Sequence, residues 1–137
     1  MQGRTLSRAQ ISSIVKDSVC RAMHVSVDDI ERSERGVASV AIARHFAIYL
    51  CHVVAGLNYS ELAIEFHRDR TTIRHACLRI EMLRDYADSD SVLACLETGL
   101  LAFFDTMERV WHESIYAIEN NDHVNFERFE KRKRVNL

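Results

Sequence analysis

Two helix-start signals stand close together near the middle of the chain, at Asn58 and Asp69. Asn58 followed by Glu61 has the spacing of a capping box, and Asp69 is a good N-cap for the segment behind it. Only His67 and Arg68 separate the two predicted helices, at residues 58–66 and 69–84. Two helices joined by so short a turn form a helix-turn-helix, and this motif constrains the fold more than any other feature.

The second of these helices has one apolar and one polar face. Its apolar stripe, at three- and four-residue spacing, carries Ile73, Ala76, Cys77, Ile80 and Leu83. The side chains left for solvent are Arg70, Thr71, Arg74, His75 and Arg79. The first four lie in the opening turns, where a recognition helix meets base edges. The plain alternative is a surface helix whose charges are merely solvated.

The rest of the chain also has a helical pattern, with no proline and only four glycines to supply the turns of a β protein. Apolar spacing predicts further helices at residues 7–23, 26–31, 37–55 and 91–119. The last of these has heptad spacing at Leu93, Leu96, Leu100, Phe103, Met107 and Val110. We therefore expect an all-α helical bundle, with a DNA-binding domain at 1–88 and an oligomerising helical extension with a basic tail at 89–137.

Charge is distributed unevenly along the chain. Residues 1–84 carry 12 Lys+Arg against 9 Asp+Glu, whereas residues 85–137 carry 6 against 11. Five arginines fall between Phe66 and Arg84, where the acidic residues are Asp69 and Glu81. The first part is therefore the one suited to a polyanion such as the phosphate backbone of DNA.

Other classes of protein are disfavoured. The apolar runs, such as residues 99–104, are far shorter than the roughly 20 residues of a membrane span, and the N-terminus lacks the apolar region of a secretory signal, so we expect a cytoplasmic protein. The cysteines Cys20, Cys51, Cys77 and Cys95 lie in apolar helical stretches, which predicts buried thiols; a zinc site that uses Cys51 and His52 is the alternative. No phosphate-binding loop or nucleophile–base pair is evident, so we expect no catalysis, cofactor or metal.

Residues 66–81, FHRDRTTIRHACLRIE, resemble the signature of the C-terminal DNA-binding domain of the bacterial replication initiator DnaA. Residues 39–41, 44–50 and 59–62 are similar to other parts of that domain, and the similarity covers residues 11–86. The resemblance implies a Trp-repressor-like helix-turn-helix bundle. Because the chain has no ATPase phosphate loop, it implies a free-standing relative of this domain, not an initiator.

The resemblance also implies roles for individual residues. The positions that read bases fall on Asp69, Arg70, Thr71 and His75. Contacts to phosphates or the backbone are expected from Arg35, Arg44, Ser60, Arg68, Thr72, Arg74 and Arg79. These side chains are chemically suited to base contacts. Arginine can bind guanine, the threonine methyl can touch thymine, and an aspartate can accept a hydrogen bond from the amino group of cytosine.

Two departures from the family pattern bear on the target sequence. Arg70 stands where the family usually has histidine, and the loop at residues 34–38 has a single arginine, Arg35, where the family has a basic loop that enters the minor groove. We therefore expect a preferred site different from that of DnaA.

The sequence predicts a nucleoid-associated protein that binds duplex DNA sequence-specifically and regulates replication initiation or transcription. It is expected to form a homodimer through the helix at 91–119, and the replication initiator or other replication proteins are candidate partners. The alternative is an adaptor that keeps the fold but acts through protein contacts. The acidic second half and the lone basic residue Arg35 in its loop favour that alternative.

Overall fold

The computed structural model describes residues 6–32, 37–120, 131, 132 and 134, and this part of the chain is helical without a strand. Its helices are α1 (Arg8–Met23), α2 (Val27–Glu31), α3 (Ala38–Val53), α4 (Tyr59–Phe66), α5 (Arg70–Leu83) and α6 (Ala87–Asn120). The predicted all-α fold with a helix-turn-helix and a long last helix is confirmed. Within the described ranges no helix is both long and apolar enough to cross a membrane.

Side-chain caps fix the helix starts close to the predicted positions. Ser7, Ser26, Asn58 and Asp69 each accept a hydrogen bond from the backbone N–H three residues later, at 2.7 to 3.2 Å. Each bond satisfies one of the amides that a helix start leaves without an intrahelical partner. For α4 and α5 the capping residues that predicted the helices are therefore the ones whose hydrogen bonds start them.

The start of α6 was predicted wrongly. The helix begins at Ala87, not at residue 91. Ser91 does not cap it, because its hydroxyl donates to the carbonyl of Ala87 at 2.8 Å from within the helix. Asp88 and Asp90 lie in the first turn, where acidic side chains interact favourably with the helix dipole.

The central helix of the bundle is α3, which packs against α1 and α5 and also contacts α2 and α4. Its side chains Ala47, Leu50 and Cys51 are fully buried. Val15 of α1 and Ile73 of α5 are also fully buried. This shared core fixes α5 on the bundle by its apolar stripe and leaves its polar face outward.

A buried lysine ties three helices together. Lys16 of α1 is 6% exposed, and its Nζ donates to the backbone carbonyl of Glu65 at 3.1 Å and to the Glu31 carboxylate at 3.4 Å. The same ammonium lies 4.7 Å from the centre of the Phe66 ring. Its charge is therefore paired and hydrogen-bonded, as a buried charge must be. The contacts hold the end of α4, and with it the start of the turn, against α1 and α2.

The described residues divide between two compact units, Met1–Ala102 and Phe103–Leu137, and the division falls inside α6. In the first unit Leu93 and Leu100 of α6 are buried, and Arg84 forms ion pairs with Asp90 at 2.8 Å and with Glu97 at 2.5 Å. In the second unit Phe103 and Val110 are exposed. The functional division expected at residue 88 stays a prediction.

The cysteines do not all match the expectation. Cys20, Cys51 and Cys77 are buried, but Cys95 is exposed. Cys95 lies two residues after the buried Leu93, and at about 100° per residue this places it on the opposite side of the helix. Burial raises the pKa of the Cys51 thiol to about 12 and that of Cys77 to about 11, which keeps both protonated.

Candidate nucleic-acid interface

The turn between α4 and α5 closes without glycine. His67 has a φ of 52°, in the left-handed region, and its amide and that of Arg68 donate back to the carbonyls of Ile64 and Ala63. For a residue with a Cβ this conformation costs roughly 1–2 kcal/mol. The Arg68 guanidinium contributes further bonds, to the carbonyls of Phe66 at 3.3 Å and His67 at 3.1 Å. The turn is therefore held by its own hydrogen bonds although it lacks the usual glycine.

The polar face of α5 forms one continuous surface. Arg70, Thr71, Arg74 and His75 are all exposed. They line a single groove of about 510 Å³, which is completed by Tyr59 and Leu78. The structure thus brings together three of the four residues expected to read bases, with Arg74 beside them.

Asp69, the fourth expected base reader, lies at the start of the same helix. Its carboxylate accepts from the amide of Thr72 at 2.7 Å, and this backbone hydrogen bond, with a smaller contribution from the Thr72 hydroxyl, lowers the pKa of Asp69. The side chain is fully exposed and is a carboxylate at neutral pH. The carboxylate that was expected to read a base therefore also caps the helix, next to the exposed Thr72.

A second groove follows along α5. It has a volume of about 710 Å³ and is lined by His45, His75, Leu78, Arg79, Glu81 and Met82. Arg79 is exposed there, as expected for a phosphate contact. His45 of α3 has a buried Nδ1 that finds no hydrogen-bond partner among the described residues. Burial, followed by the positive charges of Arg79 and Arg44, lowers the pKa of His45, so its ring is neutral at pH 7.

Two of the expected phosphate-binding arginines hold the fold together. Arg44 is 8% exposed, and its guanidinium donates to the carbonyls of Ile30, Asp29 and Arg32 at the end of α2. Burial, then the charge of Arg68, lowers the pKa of Arg44. The structure gives Arg44 a structural role and does not place it with the exposed arginines of α5. Arg68 is partly exposed and donates to the carbonyl of Arg32 at 2.6 Å.

The remaining predicted residues fall in different places. Ser60 is exposed in the first turn of α4, close in sequence to the groove residue Tyr59. Arg35 lies outside the described residues. In the described ranges no group of three or more histidine, cysteine or acidic side chains is arranged to hold a metal ion.

Tyr59 and Leu78 were not identified from the sequence, although both line the groove with Arg70 and His75. Tyr59 is held by the ring of His52, with the ring centres 4.9 Å apart, and His52 Nδ1–H donates to the carbonyl of Leu57 at 2.7 Å. Leu78 is a large apolar side chain outside the apolar stripe of α5. That irregularity is the signal that could have revealed it.

Comparison with known proteins identifies a matching family and several relatives. Residues 12–80 match the family model described as the bacterial dnaA protein helix-turn-helix. The chain is 31% identical over 80 residues to the chromosomal replication initiator protein DnaA of Treponema denticola, which covers 58% of this chain and 17% of that protein. It is 28% identical over 67 residues to the DnaA of Thermoanaerobacter sp. (strain X514), covering 49% of this chain and 15% of that one.

Among solved structures, the chain is similar to a protein described as a DNA replication initiation factor. The TM-score is 0.64 at 26% identity, over 71% of this chain and 30% of that chain. The chain thus spans less than a fifth of the length of these curated relatives and under a third of that solved chain. These matches confirm the resemblance seen in the sequence.

Proposed function

Since this chain belongs to the family of the bacterial DnaA helix-turn-helix, we propose that it binds double-stranded DNA by placing α5 in the major groove. The supporting observation is the groove in which Arg70, Thr71, Arg74 and His75 stand exposed together. Their helix is anchored from behind by Ile73, Ala76 and Ile80, which are at most 1% exposed. A rigid helix with an exposed arginine-rich start is what major-groove reading requires.

The proposed reading of bases is assigned to Asp69, Arg70, Thr71 and His75. The arginine fork fits the O6 and N7 acceptors of guanine, and the carboxylate fits the amino group of cytosine. Thr72, Arg74 and Arg79 are exposed around them and are assigned to phosphates. Ser60 and Arg68 are assigned to the DNA backbone near the turn, and Arg35 is also assigned to the DNA backbone.

The cellular role proposed for this activity is regulation of replication initiation or of transcription at the nucleoid. The relatives and the similar structure are named for replication initiation, which supports the first of the two. Genome-wide mapping of the DNA bound by the protein distinguishes them, since origin-proximal sites are expected for the first and promoter sites for the second.

The binding proposal is tested by titrating labelled duplexes with the full chain at several salt concentrations. The preferred duplex, selected from a random pool, is expected to bind with a salt-dependent affinity. Arg70→Ala is expected to cost roughly 1–3 kcal/mol on that duplex and to relax discrimination at one position. Arg79→Ala is expected to weaken binding to every duplex and to reduce the salt slope by about one.

The matched control is Arg109→Ala, which removes an exposed arginine from a part of the chain that the proposal does not use. This variant is expected to bind like the wild type. If the wild type shows no salt-dependent binding to any duplex, DNA binding fails and the adaptor alternative gains support.

We propose that α6, the helix predicted at 91–119, mediates self-association as a two-fold homodimer through the part of it that lies in the second unit. Phe103, Val110, Trp111 and Ile118 are 43 to 60% exposed in this unit. At about 100° per residue they fall on one face about 100° wide, which is the pattern of a helix that buries a stripe against a partner. Two-fold pairing buries such a surface and supplies two recognition helices for two half-sites.

The dimer is tested by sedimentation or light scattering of the intact protein. A double substitution, Val110→Lys with Trp111→Glu, is expected to convert a dimer into a folded monomer, whereas Tyr116→Lys, on the other side of the helix, should leave it dimeric. A monomeric wild type at tens of micromolar contradicts the proposal. Truncation after residue 88 is a poorer test, because it also deletes the buried Leu93 and Leu100.

A further inference from the structure

We propose that Leu78, together with the ring of Tyr59, forms a pocket for the 5-methyl group of a thymine in the bound DNA and so helps to set the sequence preference. The inference rests on the proposed function, since it concerns the same groove. It adds a specificity residue in the third turn of α5 to the polar side chains of the opening turns.

Leu78 has the exposure that such a role needs. It is 48% exposed, although the apolar stripe of α5 is buried behind it. It stands one helical turn after Arg74 and lines the same groove as Arg74 and His75. A half-exposed leucine beside Arg74 and His75 adds an apolar surface to a groove whose other α5 side chains are mainly polar.

Tyr59 lines the same groove and is held by a residue outside it. Its ring contacts that of His52, which is itself fixed by the 2.7 Å bond from Nδ1 to the Leu57 carbonyl. Because a carbonyl oxygen only accepts, Nδ1 of His52 must carry the proton. Tyr59 is therefore positioned before any ligand arrives, and the apolar wall needs no rearrangement to form.

Arg70, the groove arginine assigned to base reading, favours thymine over 5-methylcytosine, the other base with a 5-methyl group. In the major groove thymine presents its methyl beside the O4 acceptor, while 5-methylcytosine presents the same methyl beside an amino donor. Arg70 has only donors to offer. A thymine beside it contacts the apolar walls with its methyl and accepts from the guanidinium with O4, whereas 5-methylcytosine can make only the apolar contact.

The test uses the full chain and a duplex selected from a random pool by the wild type, in which each thymine in turn is replaced by deoxyuridine. Deoxyuridine differs from thymidine only in lacking the 5-methyl group of the base. At one position the replacement is expected to weaken wild-type binding roughly fourfold, the worth of one buried methyl-sized group. Leu78→Ala is expected to lose this difference and bind the two duplexes within about 1.5-fold of each other.

Two variants separate this pocket from its surroundings. Met82→Ala truncates an exposed apolar residue one turn further along α5, which lines the second groove and not the first, and should keep the fourfold difference at the same position. Thr71→Ser removes the other methyl group of the groove and should keep it as well. If Thr71→Ser abolishes the difference while Leu78→Ala retains it, the methyl contact belongs to Thr71 and the inference is overturned.

A further arm places 5-methylcytosine paired with guanine at the same position. Weaker binding than to thymine is expected, and equal binding overturns the assignment of thymine. Wild-type binding that is indifferent to deoxyuridine at every position overturns the methyl pocket but leaves DNA binding intact. Absence of binding to any duplex removes the proposed function and the inference with it.

Discussion

The guanidinium of Arg68, in the turn between α4 and α5, donates a 2.6 Å hydrogen bond to the backbone carbonyl of Arg32, just beyond α2. The buried Arg44 reaches the same carbonyl at 3.4 Å. Two arginines from different elements thus hold the end of α2 against the helix-turn-helix. The position of α5 relative to the end of α2 depends on this pair of contacts.

Replacing Arg68 is expected to affect both folding and binding. Arg68→Ala removes the donor to the carbonyls of Arg32, Phe66 and His67 and should lower the free energy of unfolding by about 1 kcal/mol. DNA affinity should fall as well. The control is Arg70→Ala, which removes an exposed arginine from the polar face of α5. It should lower DNA affinity without changing the free energy of unfolding. Denaturant unfolding of both variants measures the difference, and equal stabilities would contradict the structural role of Arg68.

Replacing Arg44 is expected to affect folding far more. Arg44→Met leaves the carbonyls of Asp29, Ile30 and Arg32 without their buried donor, which should cost about 2–3 kcal/mol. Arg32→Ala, which removes an exposed side chain, should cost less than about 0.5 kcal/mol. Under conditions where Arg44→Met is folded, its salt slope of DNA binding should match the wild type. A slope lower by about one would show that Arg44 contacts a phosphate after all.

His45 is expected to make stability depend on pH in the weakly acidic range. Its pKa in the folded protein lies below the ordinary value of 6.5 because of burial and the nearby charges of Arg79 and Arg44. The unfolded chain therefore binds the proton more readily, so the stabilisation is complete above about pH 6.5 and is lost as the pH falls towards the folded pKa. The melting temperature of the wild type should fall from about pH 7 to about pH 5.5, and that of His45→Gln should fall less. An equal fall in both proteins would exclude His45 as the cause.

Asp69 allows its two functions to be separated. Asp69→Asn keeps an acceptor for the Thr72 amide and should lower stability at neutral pH less than Asp69→Ala, which removes the acceptor. Because the folded pKa of Asp69 is depressed, its charged form stabilises the protein above the ordinary pKa, and that contribution disappears as the pH falls through the folded value. Asp69→Asn should lack this loss in acid unfolding. Duplex titration of Asp69→Asn then reports base reading alone, and unchanged specificity would remove Asp69 from the reading set.

Local signals in the sequence were sufficient for the helices and for the motif. Asn58 and Asp69 cap the helices that they were predicted to start, because a side-chain cap involves residues only three positions apart. The apolar period of α5 likewise identified its buried stripe, since helix geometry fixes which positions share a face. The same helical period predicted, without any tertiary contact, that four polar residues share the exposed face of α5: Arg70, Thr71, Arg74 and His75.

The tertiary structure decided which arginines are buried and which side chains from outside α5 line the groove. The sequence alone could not distinguish the buried Arg44 from the exposed Arg79, because both are arginines on amphipathic helices and only the approach of α2 covers one of them. Tyr59 lines the same groove as Leu78 because folding brings α4 and α5 together, which no local spacing encodes. Helix caps and periods arise from neighbours along the chain, whereas burial and grooves arise from residues that only folding brings together.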